Sequence, residues 1–225
     1  MSGTVIIHGR SASVNEVSPR AGREDAELWL GYTGTHKDWT RRFDVHPVEH
    51  ASHYHDGIKG KRPEIWEEYK ALPPCLMFKG LPLLDFTSDT SGRPIYLLER
   101  HSEVSASVSY PLEWIVRMLG EHTRGRMDCS VSMMMALALA EGQEHIILHN
   151  VGLITDDWQT TALNPEWANR HKGILYWIGF AEMARVKVTV EGDSIFAPAK
   201  KVYGYETCGR DFGVAQRRYF TRGRG

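Results

Sequence analysis

Gly9, Arg10, Ser11 and Ser13 follow at once on the apolar run TVIIH. A small, polar, glycine-containing turn after a strand can offer a phosphate group backbone amides and hydroxyls, and here also a guanidinium. The passage is not a GxGxxG fingerprint, and Pro19 limits any helix that follows, so an ordinary strand-to-loop turn is the plain alternative. Ser130 and Ser132 head a second apolar run, SVSMMMALALA, where the hydroxyls and free amides of a helix's first turn can also take phosphate. Carboxylates and imidazoles able to move a proton stand at two further places. Asp44 and His46 lie in RFDVH, and Asp156 and Asp157 lie in the polar stretch that opens at Gly152. Each has a structural alternative: His46 can simply hydrogen-bond its own loop, and the two aspartates can cap the next turn.

After His46 comes HPVEHASHYHD, which gathers His50, His53, His55 and Asp56 within a few residues. Metal ligation is one reading. The spacing matches no familiar zinc signature and no cysteine joins the cluster, so the favoured reading is a histidine-rich loop with no resident metal and one imidazole free for catalysis. Cys75, Cys129 and Cys208 form an odd set without CxxC spacing, which argues against a disulfide framework or a zinc knuckle.

The elements that must position these residues follow from periodicity. Residues 4–8, 27–31 and 42–46 read as strands, each followed by a polar loop. Residues 62–72 make an amphipathic helix with Pro63 at its start, and Pro73 and Pro74 end it. Residues 75–78 and 95–98 look like two more strands, and residues 111–119 like another helix stopped by Gly120. The run 131–140 consists of strong helix formers and is apolar all round, so it should be buried, with Ser130 as N-cap and Gly142 as the left-handed stop. Residues 145–151 then read as a central parallel strand covered on both faces. Asn164, Pro165 and Glu166 start a long helix that should run to about Met183, with Trp167, Leu175, Ile178 and Phe180 turned inward and Gly173 and Gly179 as weak points. Residues 186–190 alternate cleanly, as at a sheet edge.

Strands alternating with helices give an α/β fold with a mainly parallel sheet and helices on both faces. A chain of 225 residues with 42% hydrophobic content suits one such domain, expected over residues 1–208. Residues 209–225 read as a basic tail that need not be ordered. Its Arg210, Arg217, Arg218, Arg222 and Arg224 face a single acid, Asp211, and Tyr219 and Phe220 could stack on the bases of a single strand of nucleic acid. Short basic termini are often only solvated. The net charge of -1 gives no global attraction to nucleic acid or anionic membrane, and no run is long enough to span a bilayer. The N-terminal apolar run is too short for a signal peptide, so a cytoplasmic protein is expected.

Three passages together resemble a known family: VIIHGRSASV, then ELWLGYTG with RRFDVHP, and SVSMMMALALAEGQEHIILHNVGL. They are similar to the Rossmann-like glycosyltransferases of the sialyltransferase type. They look closer still to phage-encoded proteins of similar length that share the WLG, F-x-x-H and YGYE pieces. The resemblance implies a nucleotide-sugar donor bound by Gly9, Arg10, Ser11 and Ser13 together with Ser130 and Ser132, no metal or other cofactor for transfer, and a histidine base. Gly152 joins the nucleotide-binding set by its position at the carboxyl end of a strand. Arg10 departs from that pattern, which usually has glycine or asparagine there. His46 or Asp44, or else Asp156 or Asp157, would take the acceptor's proton. A phage setting makes a modified base in DNA a candidate acceptor, in the host cytoplasm. There are two alternatives: a non-catalytic viral protein that sequesters a nucleotide with the same first loop and strand ends, and a metal-dependent hydrolase built on the histidine cluster.

Overall fold

The computed structural model describes residues 3–9, 18–31, 38–45, 63–75, 77–78, 81–82, 92–151, 165–192, 194 and 196. The strands are β1 (Thr4–His8), β2 (Glu27–Gly31), β3 (Arg41–Phe43), β4 (Met77–Phe78), β5 (Leu81–Pro82), β6 (Ile95–Leu97), β7 (Ser107–Ser109), β8 (His145–His149) and β9 (Lys187–Glu191). The helices are α1 (Pro63–Lys70), α2 (Leu112–Leu119), α3 (Ser130–Ala140) and α4 (Pro165–Met183), with a 3-10 turn at Glu121–Arg126 before α3. Seven strands form one sheet in the order β7-β6-β3-β2-β1-β8-β9, and every neighbouring pair is parallel. The remaining two, β4 and β5, form a separate antiparallel pair.

Both faces of the sheet are covered, as the unbroken apolar runs of its central strands require. Val5, Ile7, Trp29, Ile146 and Leu148 point to the face packed by α2, α3 and α4. Ile6, Leu28, Leu30 and Ile147 point to the other, where Ile65, Trp66 and Tyr69 of α1 meet them. The architecture is α/β and Rossmann-like.

Helix α3 is the central element of the first face, with Met134 through Ala140 all buried. It ends in a Schellman turn: Gln143 N–H donates to Ala138 O at 3.0 Å, Gly142 N–H donates to Leu139 O at 3.1 Å, and Gly142 takes φ 77°. Its start lies one residue earlier than the serine pattern suggests. The N-cap is Cys129, whose Sγ accepts from Ser132 N–H at 3.5 Å, so Ser130 is already helical. The cap is completed from outside the helix, where Ser132 Oγ donates to Asp128 Oδ1 at 2.8 Å.

At the sheet's amino edge lies a buried ionic group that no periodicity announces. Arg41, 2% exposed, reaches Glu27 Oε2 at 2.7 Å from Nε and Glu141 Oε1 at 2.7 Å from Nη1, and stacks 4.5 Å over the Trp29 ring. Burial disfavours its charge, but the two carboxylates more than restore it, and its pKa is raised. The cation joins the carboxyl end of α3 to the starts of β2 and β3, where a positive charge also suits the helix dipole.

Several expectations change. β3 covers Arg41–Phe43 rather than 42–46, and the strand expected at 75–78 reduces to Met77–Phe78 in the separate pair. The edge strand β7 is short and serine-rich, with no apolar run to betray it. In α4 the buried stripe is Ile174, Trp177 and Ala181, while Leu175 is 56% exposed. The Trp177 indole N–H donates to Arg126 O at 2.9 Å, which fixes the rotation of the helix and turns Leu175 outward.

Candidate functional site at the carboxyl edge of the sheet

From β1 the chain builds outward through β2, β3, β6 and β7, then returns to place β8 on the other side of β1. The strand order therefore reverses between β1 and β8, and a crevice at the carboxyl ends of those two strands is where open α/β sheets bind ligands. Three strand ends are tied together there. Gly9 N–H donates to His149 O at 2.9 Å, and Asn150 N–H donates to Glu191 O at 3.0 Å. A Cβ on Gly9 would sit 2.3 Å from Asn150 O, so only glycine allows this approach. Asn150 itself adopts φ 51°, and Gly192 beyond β9 adopts φ 73°.

Helix α3 descends from this edge towards the start of β8, so its first turn belongs to the same region. Ser130 Oγ lies 3.2 Å from where a Cβ of Gly31 would stand, at the end of β2. Register pairs His8 with Leu30, so Gly9 and Gly31 are the next residues on adjacent strands. Two bare backbone segments and the amino end of an 11-residue helix thus lie side by side, on the β2 side of the strand at which the order reverses. The dipole at the amino end of a helix makes such a place receptive to an anion, with the Ser132 amide itself already taken by Cys129 Sγ. The neighbouring Cys129 thiol is pushed up by burial, with contacts to Ser132 opposing, so at neutral pH it is a protonated cap.

Asp44, just past β3, is fully buried. The Tyr69 hydroxyl of α1 donates to its Oδ2, and Arg42 Nε lies 3.9 Å from the same oxygen. Asp44 thereby ties α1 to the end of β3, which suits an anchor better than an open base. Gly9, Ser130 and Ser132 lie at the carboxyl edge. Arg10, Ser11, Ser13, His46, Gly152, Asp156 and Asp157 lie outside the described residues, as do the cluster His50, His53 and His55 and the arginine tail. Among the described residues no group of three or more His, Cys, Asp or Glu side chains could hold a metal ion. No described helix is long and apolar enough to cross a membrane.

Two site residues escape the sequence reading: His8 and His149. They end β1 and β8 in the same register row, with Nδ1 atoms 2.9 Å apart and rings stacked at 5.1 Å. Glu191 of β9 continues that row, and Arg23 grips its carboxylate at 2.8 and 2.9 Å. That hydrogen-bonded guanidinium holds Glu191 below the usual carboxylate range, against burial and with help from His149 and His145. Lower on the same face, Thr4, Arg23, His145, Lys187, Thr189 and Glu191 help line a cavity of about 330 Å³. The signal was present: VIIHG and IILHN each end an otherwise apolar strand in histidine.

Comparison with protein-family models, with curated proteins and with solved structures finds no match to this chain.

Proposed function

We propose that this protein binds a nucleotide sugar at the carboxyl edge of its sheet and transfers the sugar to an acceptor hydroxyl. The observation that carries the proposal is the seating of α3, whose first turn stands beside Gly31, next to the strand ending in Gly9, at the reversal of strand order. Bare backbone below and the positive end of a helix beside it suit a diphosphate or a nucleoside monophosphate. Ser130 and the segment from Gly9 through Arg10, Ser11 and Ser13 would receive the phosphate. Stabilising the departing nucleotide is the electrostatic part of such a transfer, and it needs no metal when a guanidinium and helix amides are in place. Proton abstraction from the acceptor falls to His46, Asp156 or Asp157, because Asp44 is engaged by Tyr69. The acceptor we propose is a base in DNA presented outside the helical stack, reached with the help of the arginine tail.

One observation favours a second reading, in which the protein binds a nucleotide without transferring anything. The described part of the edge supplies anion-binding groups, while its one described candidate base, Asp44, is sealed from solvent.

A thermal-shift series over nucleotides and nucleotide sugars tests the shared core of both readings. A ligand at a hundredfold its Kd adds about 2.7 kcal/mol, which for a chain of this size raises Tm by roughly 5–10 °C. Arg10→Ala should shrink that shift without unfolding the protein, and a full series without any shift would overturn the donor site. Release of free nucleotide on incubation with the sugar that binds separates transfer from sequestration.

A further inference from the structure

Arg23 and Asp25 stand on the segment that leads into β2, yet they face β8 and β9 across a cavity of about 330 Å³. That volume is near the small end of the range for small-molecule sites. Two fastenings hold the segment as a fixed wall. The Arg20 guanidinium donates to Ala26 O at 2.7 Å and to Glu24 O at 2.5 Å, and Arg23 grips Glu191 of β9 with both Nη atoms. Ile147 and Ala26, both buried, give the cavity an apolar part. Most of its polar groups are already satisfied or uncharged. Arg23 and Glu191 neutralise each other, and His145 Nε2 is hydrogen-bonded to Thr189 Oγ1 at 2.8 Å. Burial, with Lys187 and Arg23 adding to it, holds His145 below its ordinary value, so the ring is neutral at neutral pH. Two charges are left over. The Lys187 ammonium and the Asp25 carboxylate line this same cavity, and among the described residues neither forms an ion pair.

A purely anionic ligand would meet Asp25 and Glu191 there, and a purely cationic one Lys187 and Arg23. A neutral ligand would take water from both unpaired charges and return no charge to either. A molecule that carries both charges answers each with its opposite. We propose that the cavity binds a small aliphatic amino acid, its carboxylate on Lys187, its ammonium on Asp25 and its side chain against Ile147 and Ala26. The Thr4 hydroxyl and His145 Nδ1, which have no partner among the described residues, supply further polar contacts. None of these residues belongs to the set at Gly9 and Ser130, so the site stands whether or not a nucleotide binds at the carboxyl edge.

Amide chemical shifts of the full chain, titrated with L-valine at neutral pH, test the site. Two analogues run beside it: N-acetyl-L-valine, which lacks the ammonium, and L-valinamide, which lacks the carboxylate. Valine should move the amides of Thr4, Asp25, His145 and Lys187. Each analogue should bind about tenfold more weakly, as expected for the loss of one charge-assisted hydrogen bond. Asp25→Asn should erase the difference between valine and N-acetylvaline, and Lys187→Gln the difference between valine and valinamide. Both side chains are exposed, so neither change threatens the fold. No movement of those amides with valine, equal binding of the analogues, or discrimination that survives in either variant overturns the proposal. So does inorganic phosphate moving the same amides more strongly than valine, which would mark an anion site instead.

Discussion

Gly173 of α4 lies against the carboxylate of Asp128, so closely that a Cβ on the glycine would stand 2.1 Å from Oδ1. Alanine would suit the helix better by about 1 kcal/mol. The glycine instead makes room for the carboxylate that receives Ser132 Oγ and completes the cap of α3. A residue that looks like a flaw in one helix thus serves the start of another.

Two glycines of the same helix should therefore respond with opposite signs. Gly173→Ala forces the Asp128 carboxylate away and costs about 1–3 kcal/mol, the usual range for overpacking. Gly179 has nothing within 4 Å of its would-be Cβ, so Gly179→Ala should stabilise by about 0.4–1 kcal/mol. Urea unfolding of the two variants reads both; a shared sign would contradict the role given to Asp128.

Arg41→Met should be among the most damaging single changes in the protein. It leaves Glu27 and Glu141 facing each other without their cation, and breaking one side of a buried ionic group costs about 3–5 kcal/mol. Arg41→Lys should recover only part of the loss, since an ammonium cannot span both carboxylates in the planar geometry of a guanidinium. The check is the midpoint of chemical denaturation at neutral pH.

Acid should lower stability in two stages. Burial, aided by Lys187 and Arg23 and opposed by Glu191, holds His145 below its ordinary value of 6.5. The unfolded chain therefore takes up that proton first, and the contribution present above pH 6.5 is lost as pH falls towards the folded value. Burial lowers His171 in the same sense. Glu191, held below its ordinary 4.5 by Arg23, contributes stability above that pH that disappears as pH falls through its folded value. Thermal unfolding between pH 8 and pH 3 should show both declines, and His145→Asn should flatten the upper one while sparing the lower.

Cutting the chain after residue 208 should abolish most binding of single-stranded DNA and flatten its salt dependence, because the arginines removed are the chain's obvious phosphate contacts. Nucleotide-induced stabilisation should survive the cut. A truncated protein that binds DNA as well as the full chain would make the tail a solvated terminus. If the full chain holds no DNA even at low salt, the acceptor is a small molecule or a glycan.

Much of the scaffold could be read from composition and periodicity. The runs that became β1, β2 and β8 are apolar enough to be central strands, β1 and β8 β-branched as well, and α3 is helix-forming along its whole length. Gly142 marks the helix stop because a left-handed residue without a Cβ costs least there. The alternation of these segments already implies a parallel sheet. What the sequence could not tell is which strand ends meet, since strand order and register follow from how α2, α3 and α4 share one face while α1 takes the other. Only that arrangement brings His8 beside His149 across 141 positions of sequence, or Arg41 onto Glu141. Each of those side chains, alone in its segment, looks like any other polar residue at the end of an element. Their chemistry arises from the distance to a partner, and that distance belongs to the fold.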